Sequence, residues 1–148
     1  MKTVITDEKD VRFLKLVREL DKGYYRRIGD GLSRYDKYNS FEVPHIVILL
    51  IDSGESVACA SYRTLNKDSV EFKRVYVKRN YRRKGIAFKL IKKLEQDAID
   101  NGFRHSYIVT GKNNIPAIKL YEKLDYYQIP NIEGFEDDDV VISMKKDF

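Results

Sequence analysis

Arg82-Arg83-Lys84-Gly85-Ile86-Ala87 joins two segments of opposite periodicity. Before it, Val70-Glu71-Phe72-Lys73-Arg74-Val75-Tyr76-Val77 interleaves β-branched and aromatic residues with charge, which predicts a strand. After it, Ala87, Leu90, Ile91, Leu94 and Ala98 recur at helical spacing and predict a helix over Ile86 to Ile99. A strand-to-helix turn exposes backbone N–H groups at the positive end of the helix dipole, which suits an anion such as pyrophosphate. Gly85 and Ala87 carry little or no side chain, so a phosphate can approach the main chain. Arg82, Arg83 and Lys84 add three consecutive cations, whose alternative use is plain solubility. The stretch reads as a site for a phosphorylated cofactor.

The chain has 148 residues, enough to bury a core, and reads as one domain over 1–148. Its 43% hydrophobic and 34% charged content fits a soluble globular protein. The longest apolar run, Ile46 to Ile51, is too short to span a bilayer, so no membrane partner is expected. Met1 to Glu8 lacks the apolar core of a signal peptide, which sets the expectation of a cytoplasmic location. A single cysteine, Cys59, excludes an internal disulfide framework and a cysteine-rich zinc site. It lies in the small-residue strand Ser56 to Tyr62 and reads as a space filler, with a reactive thiol as the alternative. His45 and His105 show no metal-ligand spacing; both read as structural and no metal is expected. The net charge of +5 is unevenly placed: Glu71 to Lys93 holds ten Lys or Arg and one acid, Glu133 to Asp139 five acids and no base. A basic surface beside the turn can steer a polyanion to it.

Elsewhere, Val11, Leu14, Val17 and Phe13, Leu16, Leu20 predict an amphipathic helix with Thr6 or Asp7 as N-cap and Gly23 past its end. Tyr24 to Asn39 reads as a looser helix or loop carrying four tyrosines, Tyr24, Tyr25, Tyr35 and Tyr38. Strands follow at His45 to Ile51 and Ser56 to Leu65, joined by the hairpin signal Asp52-Ser53-Gly54-Glu55. After the long helix come a buried strand at Ser106 to Thr110, a short helix opened by Asn114-Ile115-Pro116-Ala117, and a last strand at Val140 to Lys145. The order implies a mixed α/β fold around a central sheet.

Together these pieces resemble the GNAT superfamily of N-acetyltransferases. That family's acetyl-CoA signature is Arg or Gln, two residues, Gly, one residue, then Gly or Ala, and Arg82 to Ala87 matches it. Asn114-Ile115-Pro116-Ala117-Ile118-Lys119-Leu120-Tyr121-Glu122-Lys123-Leu124 matches the second landmark, and Glu71 stands where some members carry a glutamate on the strand before the signature. The likeness is good from about His45 to Tyr127. Two departures stand out: Asp125, where the family often has glycine, and Val109-Thr110-Gly111, where many glutamate-bearing relatives have Glu-Thr-Gly.

The resemblance implies a mostly antiparallel sheet flanked by helices and splayed at the acetyl-CoA site. It implies acetyl-CoA as acyl donor and an amine, small or on a protein, as acceptor. Val75, Tyr76 and Val77 would meet the pantetheine arm, Arg82, Arg83, Lys84, Gly85, Ile86 and Ala87 the pyrophosphate, and Asn114 and Tyr121 the rest of the arm. Asn114 can equally be an N-cap. Glu71 would accept the proton of the attacking amine; it can also hold a cationic substrate, or pair with Lys73 or Arg74 as an ordinary strand glutamate. Tyr121 would protonate the leaving thiolate, against a plain core role among Ala117, Leu120 and Leu124. The tyrosines of Tyr24 to Tyr38 and the acids Glu133 to Asp139 suggest an aromatic pocket favouring a cation. Monomer and homodimer are both compatible. The competing readings are an acyl-CoA sensor of the same fold without turnover and a basic nucleic-acid-binding module, the second leaving the glycine signature unexplained.

Overall fold

In the computed structural model, which describes residues 1–28 and 43–148 (23–28 by backbone alone), the chain runs β1 (Lys2–Asp7), α1 (Val11–Ile28), β2 (His45–Asp52), β3 (Glu55–Asn66) and β4 (Ser69–Val77). A 3-10 turn at Arg79–Tyr81 leads to α2 (Ile86–Asp100), β5 (His105–Gly111), α3 (Ile115–Lys123), β6 (Tyr127–Ile129) and β7 (Val141–Asp147). One sheet holds the seven strands in the order β1-β2-β3-β4-β5-β7-β6, and every pair is antiparallel except β4 with β5. No described helix is long and apolar enough to cross a membrane.

β2 explains its own uninterrupted apolar run. Ile48 and Leu50 join the core under α2, while Val47, Leu49 and Ile51 pack with Phe13, Leu16 and Val17 of α1. A strand covered on both faces has no polar side to display, so its sequence does not alternate. On α2, Leu90, Ile91, Leu94 and Ala98 are buried, as their spacing predicts, whereas Ala87 is half-buried and Ile86 is buried in its stead. Glu95 is buried among them and accepts from Lys146 Nζ at 3.0 Å and from Tyr126 Oη at 3.1 Å, which ties α2 to β7.

Several expectations are corrected. Lys2 to Asp7 is an edge strand, so neither Thr6 nor Asp7 caps α1. Asp10 does, its Oδ1 accepting from the Arg12 N–H at 2.9 Å. α1 passes through Gly23 to Ile28, so Tyr24 to Ile28 belongs to it; the rest of the expected segment to Asn39 lies outside the described residues. β5 is half-buried rather than buried, with Ser106 and Ile108 inward and their neighbours partly exposed. β6 has no counterpart in the sequence reading. Cys59 is fully buried beside α1, and burial pushes its thiol up to about 12, which fits the space-filling role.

Two irregularities in β4 shape everything that follows. The register against β3 slips between Cys59 and Ser61, and Arg74 takes φ of 56°, a bulge with one extra residue in β4. Lys73 and Arg74 therefore both face α1, where Arg74 meets Asp21, and alternation resumes with Val75 and Val77 in the α2 core and Tyr76 under α1. The second irregularity is a parting. β4 and β5 pair only from Ser69 and His105 to Phe72 and Ile108, after which they run on to Val77 and Gly111 apart.

Candidate active site

The parting of β4 from β5 opens a cleft of about 1440 Å³ that passes through the sheet. Val75, Tyr76 and Val77 form its strand wall. Lys78 N–H donates to Val57 of β3 at 2.9 Å, so by alternation the backbone of Val77 turns toward the side β5 has left. Its carbonyl accepts from Arg82 Nε at 2.8 Å, and the same guanidinium lies 5.6 Å from the centre of the Tyr76 ring. Arg82 thus fastens the turn to the strand it follows.

Arg82, Arg83, Gly85, Ile86 and Ala87 line the cleft where α2 begins. Gly85 is the N-cap at φ 74°, and no side chain hydrogen-bonds to this cap. The φ favours glycine, because the left-handed backbone strains any L side chain; a Cβ here would meet nothing within 4 Å. The first-turn N–H groups of a helix have no intrahelical partner, so this end presents donors to a ligand. Lys84 is outside the lining, its ammonium 5.6 Å from the Tyr81 ring centre. Tyr81 Oη donates to Asp52 at 2.6 Å and so ties the turn to the β2–β3 hairpin.

The opposite wall is α3, through Asn114, Pro116, Ala117, Leu120 and Tyr121. Asn114 is an N-cap, Oδ1 accepting from Ala117 N–H at 3.3 Å, and lines the cleft as well. Tyr121 is 6% exposed and also faces the cleft. What holds it there is the helix end. Tyr126 N–H donates to Tyr121 O at 2.9 Å, Asp125 N–H to Glu122 O at 3.0 Å, and the Tyr121 and Tyr126 rings meet edge to face at 6.0 Å. This is a Schellman closure with Asp125 in the left-handed position, at φ 72°. The departure at Asp125 therefore sits at a helix end outside the cleft lining, whereas Val109 and Thr110 line the cleft itself.

Glu71 is 2% exposed and lies behind the cleft wall, not in its lining. Arg63 of β3 grips its Oε1, and Lys73 Nζ stands 4.0 Å from Oε2. Of the two anticipated partners, Arg74 goes instead to Asp21, because the bulge turns it toward α1. Lys73 does line the cleft; burial brings its ammonium down from 10.5 to about 8, against the opposing pull of Glu71. Sequence reasoning passed over Lys73 and Arg63 as candidate residues. The period of two on β4 puts Lys73 on the face of Glu71, but Arg63 is recognisable only through the register.

His45 is buried, its Nδ1 2.8 Å from Val43 O, and burial pushes its imidazolium down. His105 Nδ1 lies 2.6 Å from Asp147. No group of metal-ligating side chains occurs among the described residues. None of Glu133 to Asp139 lines the cleft; Glu136 and Asp138 instead accept from Gly134 and Val140 N–H within their own loop.

Comparison with known proteins agrees with this layout. The model of the Acetyltransferase (GNAT) family matches residues 14–126. A curated relative, thialysine N-epsilon-acetyltransferase of Bos taurus, is 27% identical over 139 residues, covering 82% of this chain and 81% of the relative. A Klebsiella pneumoniae structure described as an acyl-CoA N-acyltransferase superposes with TM-score 0.81 at 23% identity, covering 98% and 97% of the two chains. The PaiA N-acetyltransferase of Thermoplasma acidophilum, solved with coenzyme A, superposes with TM-score 0.76 at 16% identity over 100% of both chains.

Proposed function

Because the chain belongs to the acetyltransferase (GNAT) family, we propose that it moves an acyl group, and the acetyl group in particular, from its coenzyme A thioester to a primary amine. The observation that carries this reading is the divergence of β4 from β5 beside a helix start with no side-chain cap. A peptide-like pantetheine arm fits along Val75 to Val77 in the place of the missing strand. Its pyrophosphate then meets the N–H groups from Arg83 to Ala87, with Arg83 as a cation at hand.

An alkylammonium, with a pKa near 10.4, has no lone pair to attack with at neutral pH. Glu71 takes its proton, and because the carboxylate lies behind the wall, a bridging water is the route this geometry supports. The amine nitrogen attacks the thioester carbonyl, the C–N bond forms, and the C–S bond breaks with its electrons on sulfur. The nitrogen's second proton passes to solvent as the amide forms, and Tyr121 gives its phenolic proton to the thiolate and recovers one from solvent.

The test is thiol release from acetyl-CoA against pools of small amines, polyamines, amino acids and lysine peptides, with the product identified by mass. Acceptor-dependent release with an equal yield of acetyl amide supports the transferase. Saturable CoA binding with transfer to none of the pools would overturn it in favour of an acyl-CoA sensor.

A further inference from the structure

The cleft already contains an amine. Lys73 lies on β4 between Glu71 and Val75, lines the cleft, and keeps its side chain 7% exposed. Alternation from Glu71 puts it on the α1 face, and the bulge at Arg74 follows directly after it. The charged groups around it are Glu71 and Arg74 on its own strand, Arg63 on β3, His45 on β2, and Glu19 and Asp21 on α1. Glu71 and Asp21 are each engaged by another cation. Arg63 holds Oε1 of Glu71 and Arg74 holds Asp21, so Lys73 is left with a contact of 4.0 Å to Oε2 of Glu71. Burial outweighs the pull of that one carboxylate and favours the neutral amine, the nucleophilic form.

Its position along the strand matters more. An acyl-CoA arm laid from the turn at Arg82 past Val77 and Val75 runs toward the point where β4 and β5 part, after Phe72 and Ile108. Lys73 is the next residue on β4. The reacting end of the arm thus arrives beside this side chain. We propose that Lys73 is an acyl acceptor: with acyl-CoA bound and no external amine in the cleft, its Nζ takes the acyl group and becomes an amide. The inference rests on the acyl-CoA reading above.

The step balances without any further reactant. The ammonium gives one proton to water; the lone pair attacks the thioester carbonyl; the C–N bond forms and the C–S bond breaks toward sulfur. The second amine proton ends on the thiolate, leaving acyl-Lys73, free coenzyme A thiol and one proton. An amide does not return its acyl group to a second amine under these conditions, so acyl-Lys73 is an end product and not an intermediate. It removes one positive charge beside Glu71.

The experiment incubates the purified full chain with acetyl-CoA and no added amine, following intact mass and mapping the modified peptide. One acetyl group at Lys73, gained at a rate independent of protein concentration and faster than at exposed Lys67, is the expected result. Lys73→Arg should lose this label and keep the melting shift that coenzyme A produces, which shows it folded and able to bind. Gly85→Glu should lose the Lys73 label while slow labelling of exposed lysines continues. An unmodified Lys73 at saturating acetyl-CoA, or one modified no faster than Lys67, overturns the proposal. If the same preparation acetylates amines from the pools, the transferase reading survives that result. If coenzyme A produces no melting shift in the wild type, both fall.

Discussion

Arg63 and Glu71 face each other across β3 and β4, and the guanidinium closes on a single carboxylate oxygen with two nitrogens, Nε at 3.0 Å and Nη2 at 2.8 Å. The carboxylate is buried, so removing its partner strands a charge away from water. Arg63→Met should cost about 1–3 kcal/mol, the usual penalty for leaving a buried group unsatisfied. Glu71→Gln beside it should cost less than the two single losses added together. Denaturant unfolding of the four proteins measures that coupling. Strict additivity would mean the pair is not an energetic unit.

Gly85→Glu should abolish coenzyme A binding, since its side chain projects bulk and negative charge into the open space in front of the helix start. Ligand at a hundred times its dissociation constant adds about 2.7 kcal/mol to wild-type stability, which a melting curve resolves easily. The left-handed φ of 74° makes the variant somewhat less stable by itself, so the comparison is each protein with and without ligand. A full-sized shift in the variant would place the phosphates elsewhere.

Tyr121→Phe keeps the ring against Tyr126 and deletes one hydroxyl. If the phenol protonates the thiolate, single-turnover transfer slows by about tenfold or more, about 1.4 kcal/mol of barrier, with acetyl-CoA binding retained. The deficit should shrink for a thioester whose thiolate leaves more readily. A normal single-turnover rate would leave Tyr121 as a packing residue.

Asp125→Gly should stabilise the protein by about 1 kcal/mol, because glycine occupies the left-handed C-terminal position without the Cβ clash an L side chain suffers. Asp125 is exposed and accepts no described hydrogen bond, so little else changes. Thermal unfolding reads the gain directly; a loss would show the aspartate carboxylate contributing something the backbone does not reveal.

Acylation of Lys73 should depend on pH in a particular way. Its ammonium is lowered from 10.5 to about 8, so the free-amine fraction grows about tenfold per unit up to that value and levels off above it. An unperturbed lysine peptide under the same conditions keeps gaining up to a pKa near 10.4. Labelling of Lys73 that tracks the peptide would mean burial does not govern this amine.

Periodicity made most of the framework readable. The hairpin of β2 and β3, the face of α2 and the proline-bearing start of α3 all follow from local spacing. β1 was missed because it is an edge strand whose end, Thr6-Asp7, has the composition of a helix cap; the residue that does the capping, Asp10, lies one turn later. β6 has only three residues, too few to show alternation. The site divides along the same line. The turn from Arg82 to Ala87 and Tyr121 are encoded in contiguous stretches, and they reach one cleft. The grip of Arg63 on Glu71 spans two strands and depends on their register, while the bulge at Arg74 needs a positive φ in a residue type that does not advertise it. The expected cation-favouring pocket drew on acids outside the cleft lining, two of which, Glu136 and Asp138, accept from their own loop, and on tyrosines of which 35 and 38 lie outside the described residues.

The parting of β4 and β5 does more than make room. The cleft lining reaches both faces of the sheet, α2 and α3 on one and Glu19 and Lys22 of α1 on the other. If the donor is seated from the first side and the acceptor comes from the second, both are bound at once. Initial-rate plots at varied donor and acceptor should therefore intersect rather than run parallel. The order in which the two substrates bind then becomes a matter of relative affinity, not of one blocking the door for the other.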